Sequence, residues 1–342
     1  MSSAAANAIL VKASTWSFPH IIDAHCHLQD IRLRSHLGHV LRRAEAFNVT
    51  HVATCACFED DWCALDELLA AGRSREEEHS SVGDDESTSH ASNHVQILPS
   101  FGIHPWLADG TSTEYLVLLR SRLSTYPNAL VGEIGLCKSA RGKQVDVAVQ
   151  EQVFRDQLLL AVELNRGCVI HCVGAHGKLL DILGQQLRAN ALPPIVILHS
   201  YSGPAKLVDA FLALERKAHD SKFKIFFSLN AKQLANASGS KQLSINHSSG
   251  KHSKSEAACA KIPLDALLLE TDAPDQAPSR EASSAFQSEL LDKHGLNEPA
   301  LVQLALQGAA AIHNMPVDTL AAALYENACQ AFGLKEEEEE QA

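Results

Sequence analysis

Eight short apolar segments alternate with helix-forming segments along the 342 residues, and that alternation predicts an α/β fold built on a parallel sheet. Eight strands is the number that closes into a (β/α)8 TIM barrel, and the length suits one such barrel carrying insertions. A third observation selects the barrel over an open doubly wound sheet. Polar residues stand at the C-terminal ends of strands 1, 3, 4, 5, 6 and 8, the face on which such barrels build their sites.

The first strand lies in Ile21–Asp30, IIDAHCHLQD. Residues two apart share a side of a strand, so His25 and His27 enter one space while Cys26 points away, toward helix packing. Apolar spacing predicts a helix over Leu33–Phe47, then a buried strand, Val49–Cys55, and a helix over Glu59–Ala71. The third strand, Val95–Ile103, ends in FGIHPW, where His104 precedes a proline that blocks continuation. After a helix over Thr111–Ser124, the fourth strand, Leu130–Ile134, sets Glu133 where a buried strand carries an apolar residue. An acid there needs a partner.

A long helix over Val145–Asn165 presents Val153, Leu158, Leu160, Ala161 and Leu164 on its apolar face. Strand five, CVIHC, delivers His171, and a helix to Arg188 leads into strand six, IVILHSYSG, which delivers His199. A helix over Ala205–Lys217 precedes strand seven, KIFFSLN, ending in Ser228 and Asn230. Strand eight, ALLLETDAP, brings Glu270 and Asp272 to its end, and helices over Ala285–Lys293, Pro299–His313 and Val317–Phe332 follow.

The expected organisation is a flexible extension over residues 1–20, one barrel domain over 21–334, and an acidic tail over 335–342. Two low-complexity surface insertions, about 72–94 and 231–260, interrupt the barrel; both are rich in Ser and His, the first also in acids and the second in Lys and Asn. The net charge of −12 argues against a nucleic-acid partner only until its location is seen. Glu76–Glu86 holds six acids and Glu336–Glu340 five, and the rest of the chain carries 29 bases against 30 acids. The body is close to neutral and shows no basic groove. No apolar run reaches the roughly 18 residues that span a bilayer, which predicts no membrane partner. Nine cysteines without a spaced framework predict reduced thiols in the cytoplasm or nucleus, and Cys55-x-Cys57 lacks the second pair of a structural zinc site.

Closure makes strands 1 and 8 neighbours, so His25, His27 and Asp272 meet on one side of the barrel mouth, with Glu133, His171 and His199 on the other. Two histidines and a carboxylate in each set form the donor mix of zinc, manganese or a similar divalent ion. A bridging Glu133 would bring two ions to about 4 Å, the separation of two-metal hydrolases. His104 orients substrate or a ligand, or caps a turn. Glu270 shares the side of Asp272 by strand parity and is a candidate to support a ligand. Most of the 18 histidines, including His36, His51 and His79, read as surface residues, and His176 as part of a helix.

DAHCHL, GIHPW, VGEIGL, QLLLA, IHC, LHSYSG, LLLETDAP, NEPALV and ENACQAFG, in that order, resemble the successive motifs of the TatD family of metal-dependent hydrolases, closest to a eukaryotic TatD-like subgroup. The resemblance implies an amidohydrolase-like barrel and a deoxyribonuclease that cleaves DNA phosphodiesters with a metal-activated hydroxide. It also implies two divalent ions, Mg, Mn or Zn: His25, His27 and Asp272 holding the first, His171 and His199 the second, and Glu133 bridging. By the same resemblance His104 contacts the substrate phosphate and Asp272 accepts a proton, while Asn297 and Glu298 of the NEP motif fix local structure. The chain departs from the family pattern at Cys137, where many relatives carry an acid, and at Val173, where many carry an arginine. Two other readings stand beside the nuclease: a small amide or ester hydrolase using the same ions, and a non-catalytic interaction protein.

Overall fold

The computed structural model describes residues 19–80, 95–218, 222–234, 253–278 and 296–334. Eight parallel strands follow one another in sequence order around a single sheet. They are β1 (Ile21–Cys26), β2 (Val49–Ala56), β3 (Gln96–Phe101), β4 (Leu130–Cys137), β5 (Cys168–Val173), β6 (Ile195–Leu198), β7 (Lys224–Asn230) and β8 (Leu267–Glu270). The barrel closes just past the end of β8. The His27 amide donates to the Ala273 carbonyl (2.8 Å) and the Asp272 amide to the His25 carbonyl (2.9 Å), and Cys26 bridges Ala273 in parallel.

Apart from the opening residues of strands such as β2 and β3, the strands are buried on both faces, which is why their sequences read as near-continuous apolar runs. Ile22, Ala24, Ala53, Cys55, Val169, Ile197, Phe226 and Leu268 fill the barrel interior. Their strand neighbours of opposite parity, such as Ile21, Val52, Ile170, Ile225 and Leu267, join the larger core beneath the helices. Cys26 joins that second layer although it shares the parity of Ile22 and Ala24, because β1 shifts register between Asp23 and Cys26. The outer ring comprises α1 (Leu37–Ala46), α2 (Glu59–Ser80), α3 (Tyr115–Thr125), α4 (Val147–Glu163), α5 (His176–Arg188), α6 (Val208–Lys217), α7 (Val302–His313) and α8 (Val317–Phe332). From α8, Ala328, Ala331 and Phe332 pack with Ile22 and Leu130 and close the interior core, a phenyl ring alone contributing on the order of 2 kcal/mol. No helix among the described residues is long and apolar enough to cross a membrane.

Several boundaries differ from the sequence reading. The helix after β2 does not stop at Ala71 but runs to Ser80, into the first expected insertion. Its added turns are Glu- and Arg-rich, a composition with good intrinsic helix propensity that needs no apolar stripe. The second expected insertion is helical at both ends, Ala231–Leu234 and Lys254–Cys259, with Leu234, Ala258 and Cys259 buried. A capping box starts the latter: Ser253 Oγ accepts from the Glu256 amide (3.2 Å) and Glu256 Oε2 from the Ser253 amide (2.7 Å). The expected helix over Leu33–Phe47 divides into a turn, Ile31–Arg34, and α1. The centres of both insertions, the helix expected over Ala285–Lys293, nearly all of the N-terminal extension and the acidic tail lie outside the described residues.

Candidate metal centre

His25 is fully buried at the end of β1, and His27 lies just beyond it. The His27 ring meets the Cys55 carbonyl through Nδ1 at 2.8 Å. A carbonyl only accepts, so Nδ1 carries a hydrogen and Nε2 faces inward, where the neutral ring offers its lone pair. That Nε2 stands 3.3 Å from His25 Nε2. On β5 and just past β6, His171 Nδ1 and His199 Nε2 face one another at 3.2 Å. The His25 and His199 rings stack with centroids 3.9 Å apart, so the two sets abut rather than facing each other across the mouth.

Glu133 joins them. Its Oε1 lies 2.7 Å from His199 Nε2, 2.9 Å from His171 Nδ1 and 3.4 Å from His104 Nε2. Its Oε2 turns to the other set, 3.4 Å from His25 Nε2 and 3.7 Å from His27 Nε2. One oxygen therefore serves each set. Burial would raise this carboxyl, but His199 and His104 foremost outweigh it and hold it well below the usual carboxylate range. Asp272 completes the first set, with Oδ1 3.5 Å from His27 Nε2 and 3.8 Å from His25 Nε2. Burial opposes its ionisation as well, and contact with His27, His199 and His25 overcomes it.

The Asp272 backbone takes φ +58°, beyond the end of β8. Two buried side chains hold this unusual turn. Asp23 accepts from the Thr271 amide (2.8 Å) and hydroxyl (2.6 Å), and Asn297 Nδ2 donates to the carbonyls of Thr271 (2.6 Å) and Asp275 (2.9 Å). Glu298, the other polar residue of the NEP motif, makes a two-pronged ion pair with Arg43 of α1. Both residues are thus structural ties, as the sequence reading expected.

The donor set fits divalent ions. Imidazole nitrogens and carboxylate oxygens of His25, His27 and Asp272, and of His104, Glu133 and His171, converge within 4.8 Å. His171 Nε2 is also buried with no hydrogen-bond partner among the described residues, a cost that coordination would remove. His104 is placed differently. Its Nδ1 accepts from the Trp106 amide at 3.0 Å, so the ring hydrogen sits on Nε2, beside Glu133. Burial lowers its pKa to about 4, so at neutral pH it is an uncharged donor.

Sequence reasoning missed part of the surroundings. Cys57 Sγ lies 3.7 Å from Glu133 Oε2 and 3.8 Å from His27 Nδ1. Cysteine reads as apolar at a strand end, and the spacing Cys55-x-Cys57 was the available signal. Glu270, whose support role rested on parity alone, approaches His199 Nδ1 to 3.6 Å. It accepts from the hydroxyls of Ser200 (2.5 Å) and Ser228, and Asn230 Nδ2 donates in turn to Ser200 Oγ (2.9 Å). His176 packs edge-on against Tyr201, with centroids 5.3 Å apart, as a core residue.

A parallel barrel with clustered histidines and carboxylates at the C-terminal ends of its strands defines a metal-dependent hydrolase. The family model described as TatD related DNase matches residues 22–333, and the chain belongs to the TatD family. An uncharacterized metal-dependent hydrolase of Methanocaldococcus jannaschii is 24% identical over 314 residues, covering 91% of this chain and 96% of that protein. The 3'-5' ssDNA/RNA exonuclease TatD of Yersinia pseudotuberculosis is 27% identical over 245 residues, covering 68% of this chain and 76% of its own. The crystal structure of a TatD homologue from Escherichia coli K12 superposes with a TM-score of 0.67 at 23% identity, covering 92% of this chain and 98% of that one.

Proposed function

We propose that residues 21–334 form a nuclease that hydrolyses DNA phosphodiester bonds with two divalent ions, Mg, Mn or Zn. The observation that carries the reading is Glu133, whose two oxygens each face a separate set of imidazoles. In this reading His25, His27 and Asp272 hold one ion, His171 and His199 the other, and Glu133 both. The ions, when bound, lower the pKa of a water and neutralise charge on phosphate oxygens. Asp272 takes a proton from the attacking water, a role that requires the ionised state its neighbours favour. His104, neutral and with its hydrogen on Nε2, donates that hydrogen to a phosphate oxygen. Glu270 stands 3.6 Å from His199 Nδ1, beyond hydrogen-bond distance, and supports that ring by its charge.

The name of the Yersinia relative, an exonuclease on single-stranded DNA and RNA, supports the substrate class. A small amide or ester is the second reading. It is favoured by the chemistry around the carboxylates, since the ion pairs of Glu133, Glu270 and Asp272 among the described residues are with histidines and none is with a Lys or Arg. None of the nine cysteines forms a disulfide, which supports a reducing compartment such as the cytoplasm or nucleus.

The test is hydrolysis of end-labelled single-stranded DNA by metal-stripped protein before and after return of Mg, Mn or Zn, with Asp272→Asn as control. Cleavage that requires the ion and disappears in the variant is the expected result. Wild-type protein that binds metal, leaves DNA intact and hydrolyses an amide or ester panel would overturn the nuclease reading in favour of the second.

A further inference from the structure

At the edge of the metal centre, the loops after β3 and β4 bring Trp106 and Arg141 together. The Arg141 guanidinium lies 4.4 Å from the centroid of the Trp106 ring. Trp106 is itself against the site, with its centroid 4.4 Å from that of His104 and 5.9 Å from that of His171. Arg141 is exposed and forms no ion pair among the described residues. The contrast with Arg32 is direct: that arginine follows β1 and is engaged by both Asp30 and Asp275.

The pair is held by a tight turn. Trp106 Nε1 donates to Cys137 Sγ (3.0 Å), and Cys137 donates to Ser139 Oγ (3.1 Å). Ser139 Oγ also accepts from the Gly142 amide (3.1 Å), and Gln150 Nε2 donates to the Gly142 carbonyl (2.7 Å). A Cβ on Gly142 would stand 2.4 Å from the Cys137 carbonyl oxygen, so the turn beside Arg141 packs too closely on β4 for any residue but glycine there. A stacked guanidinium on a fixed loop keeps its hydrogen-bond fork free for a planar or tetrahedral anion at low entropic cost.

We propose that Arg141, carried on Trp106, binds a phosphate of the substrate strand next to the one that is cleaved. This rests on the nuclease reading and deepens it. The guanidinium rests on the Trp106 ring and forms no ion pair with Glu133 or Asp272, which directs it to a flanking phosphate rather than to the reacting one. Phe58, 39% exposed two residues after β2, and the partly exposed Trp106 after β3 add aromatic surface on the same face for unstacked bases. The subsite selects for a polynucleotide over a small ester, because a substrate with a single phosphodiester offers Arg141 nothing.

The test uses the full chain with Arg141→Ala and Arg141→Lys. Binding of a fluorescein-labelled single-stranded oligonucleotide to metal-stripped protein is followed by anisotropy, and turnover of the oligonucleotide is compared with that of bis(p-nitrophenyl) phosphate by the metal-loaded protein. Arg141→Ala is expected to weaken oligonucleotide binding about ten- to a hundredfold and to reduce its salt dependence by a slope of about 0.7. Arg141→Lys recovers part of the affinity. Turnover of bis(p-nitrophenyl) phosphate stays at the wild-type level. Unaltered oligonucleotide binding by Arg141→Ala, or an equal fall on both substrates, overturns the subsite while leaving the nuclease reading intact. Wild-type protein that hydrolyses neither substrate removes the nuclease reading and the subsite with it.

Discussion

Asn297→Ala tests how the structure holds Asp272 in place. Asn297 is 1% exposed, and its side chain donates to Thr271 and Asp275 carbonyls and accepts from the Glu298 amide at 3.0 Å. Thr271 is buried, so its carbonyl keeps no solvent partner once the amide is gone, at a cost of about 1–3 kcal/mol. Asp275 is exposed and its carbonyl regains water, so that bond and the one to Glu298 add about 0.5–1 kcal/mol each. The expected loss is about 2–5 kcal/mol, read from urea unfolding of the metal-free protein. Because the same turn carries Asp272, metal affinity should fall about ten- to a hundredfold, the usual effect of losing a partner that orients a ligand. A loss below about 1 kcal/mol with unchanged metal affinity would refute the reasoning and show that Asp23 and the barrel closure hold the turn without Asn297.

Gly135→Ala should fail to give a correctly folded barrel, since a Cβ there would stand 2.0 Å from the His171 carbonyl oxygen on a backbone with φ +142°. Soluble variant with wild-type circular dichroism and metal content would contradict it. Metal uptake should release protons and strengthen as pH rises. Burial lowers the pKa of His199, but Glu133 and Glu270 outweigh it and set the pKa well above the ordinary value. Its ion pair stabilises the metal-free protein fully below the unfolded pKa of about 6.5 and loses that contribution as pH climbs through the raised folded value. An ion needs the neutral imidazole, so it competes with that proton. Calorimetry in buffers of different ionisation enthalpy counts the protons, and uptake near neutral pH without proton release would exclude a protonated His199.

Much of the site is legible in one dimension because strand periodicity is local. His25 and His27 share a face through their spacing alone, and Glu133 stands out because an acid inside an apolar strand must find a partner. The alternation of eight strands with helices fixes their order around the barrel, and with it which ligands become neighbours. Other features exist only after closure. That Glu133 gives one oxygen to each set depends on where five strand ends settle around it. The left-handed turn at Asp272 is held by Asp23 from the start of the barrel and Asn297 from beyond β8. Cys57 and the Asn230–Ser200–Glu270 chain reach the centre for the same reason. A repeat pattern states which way a side chain points, whereas the distance between groups on different strands is set by the packed barrel alone.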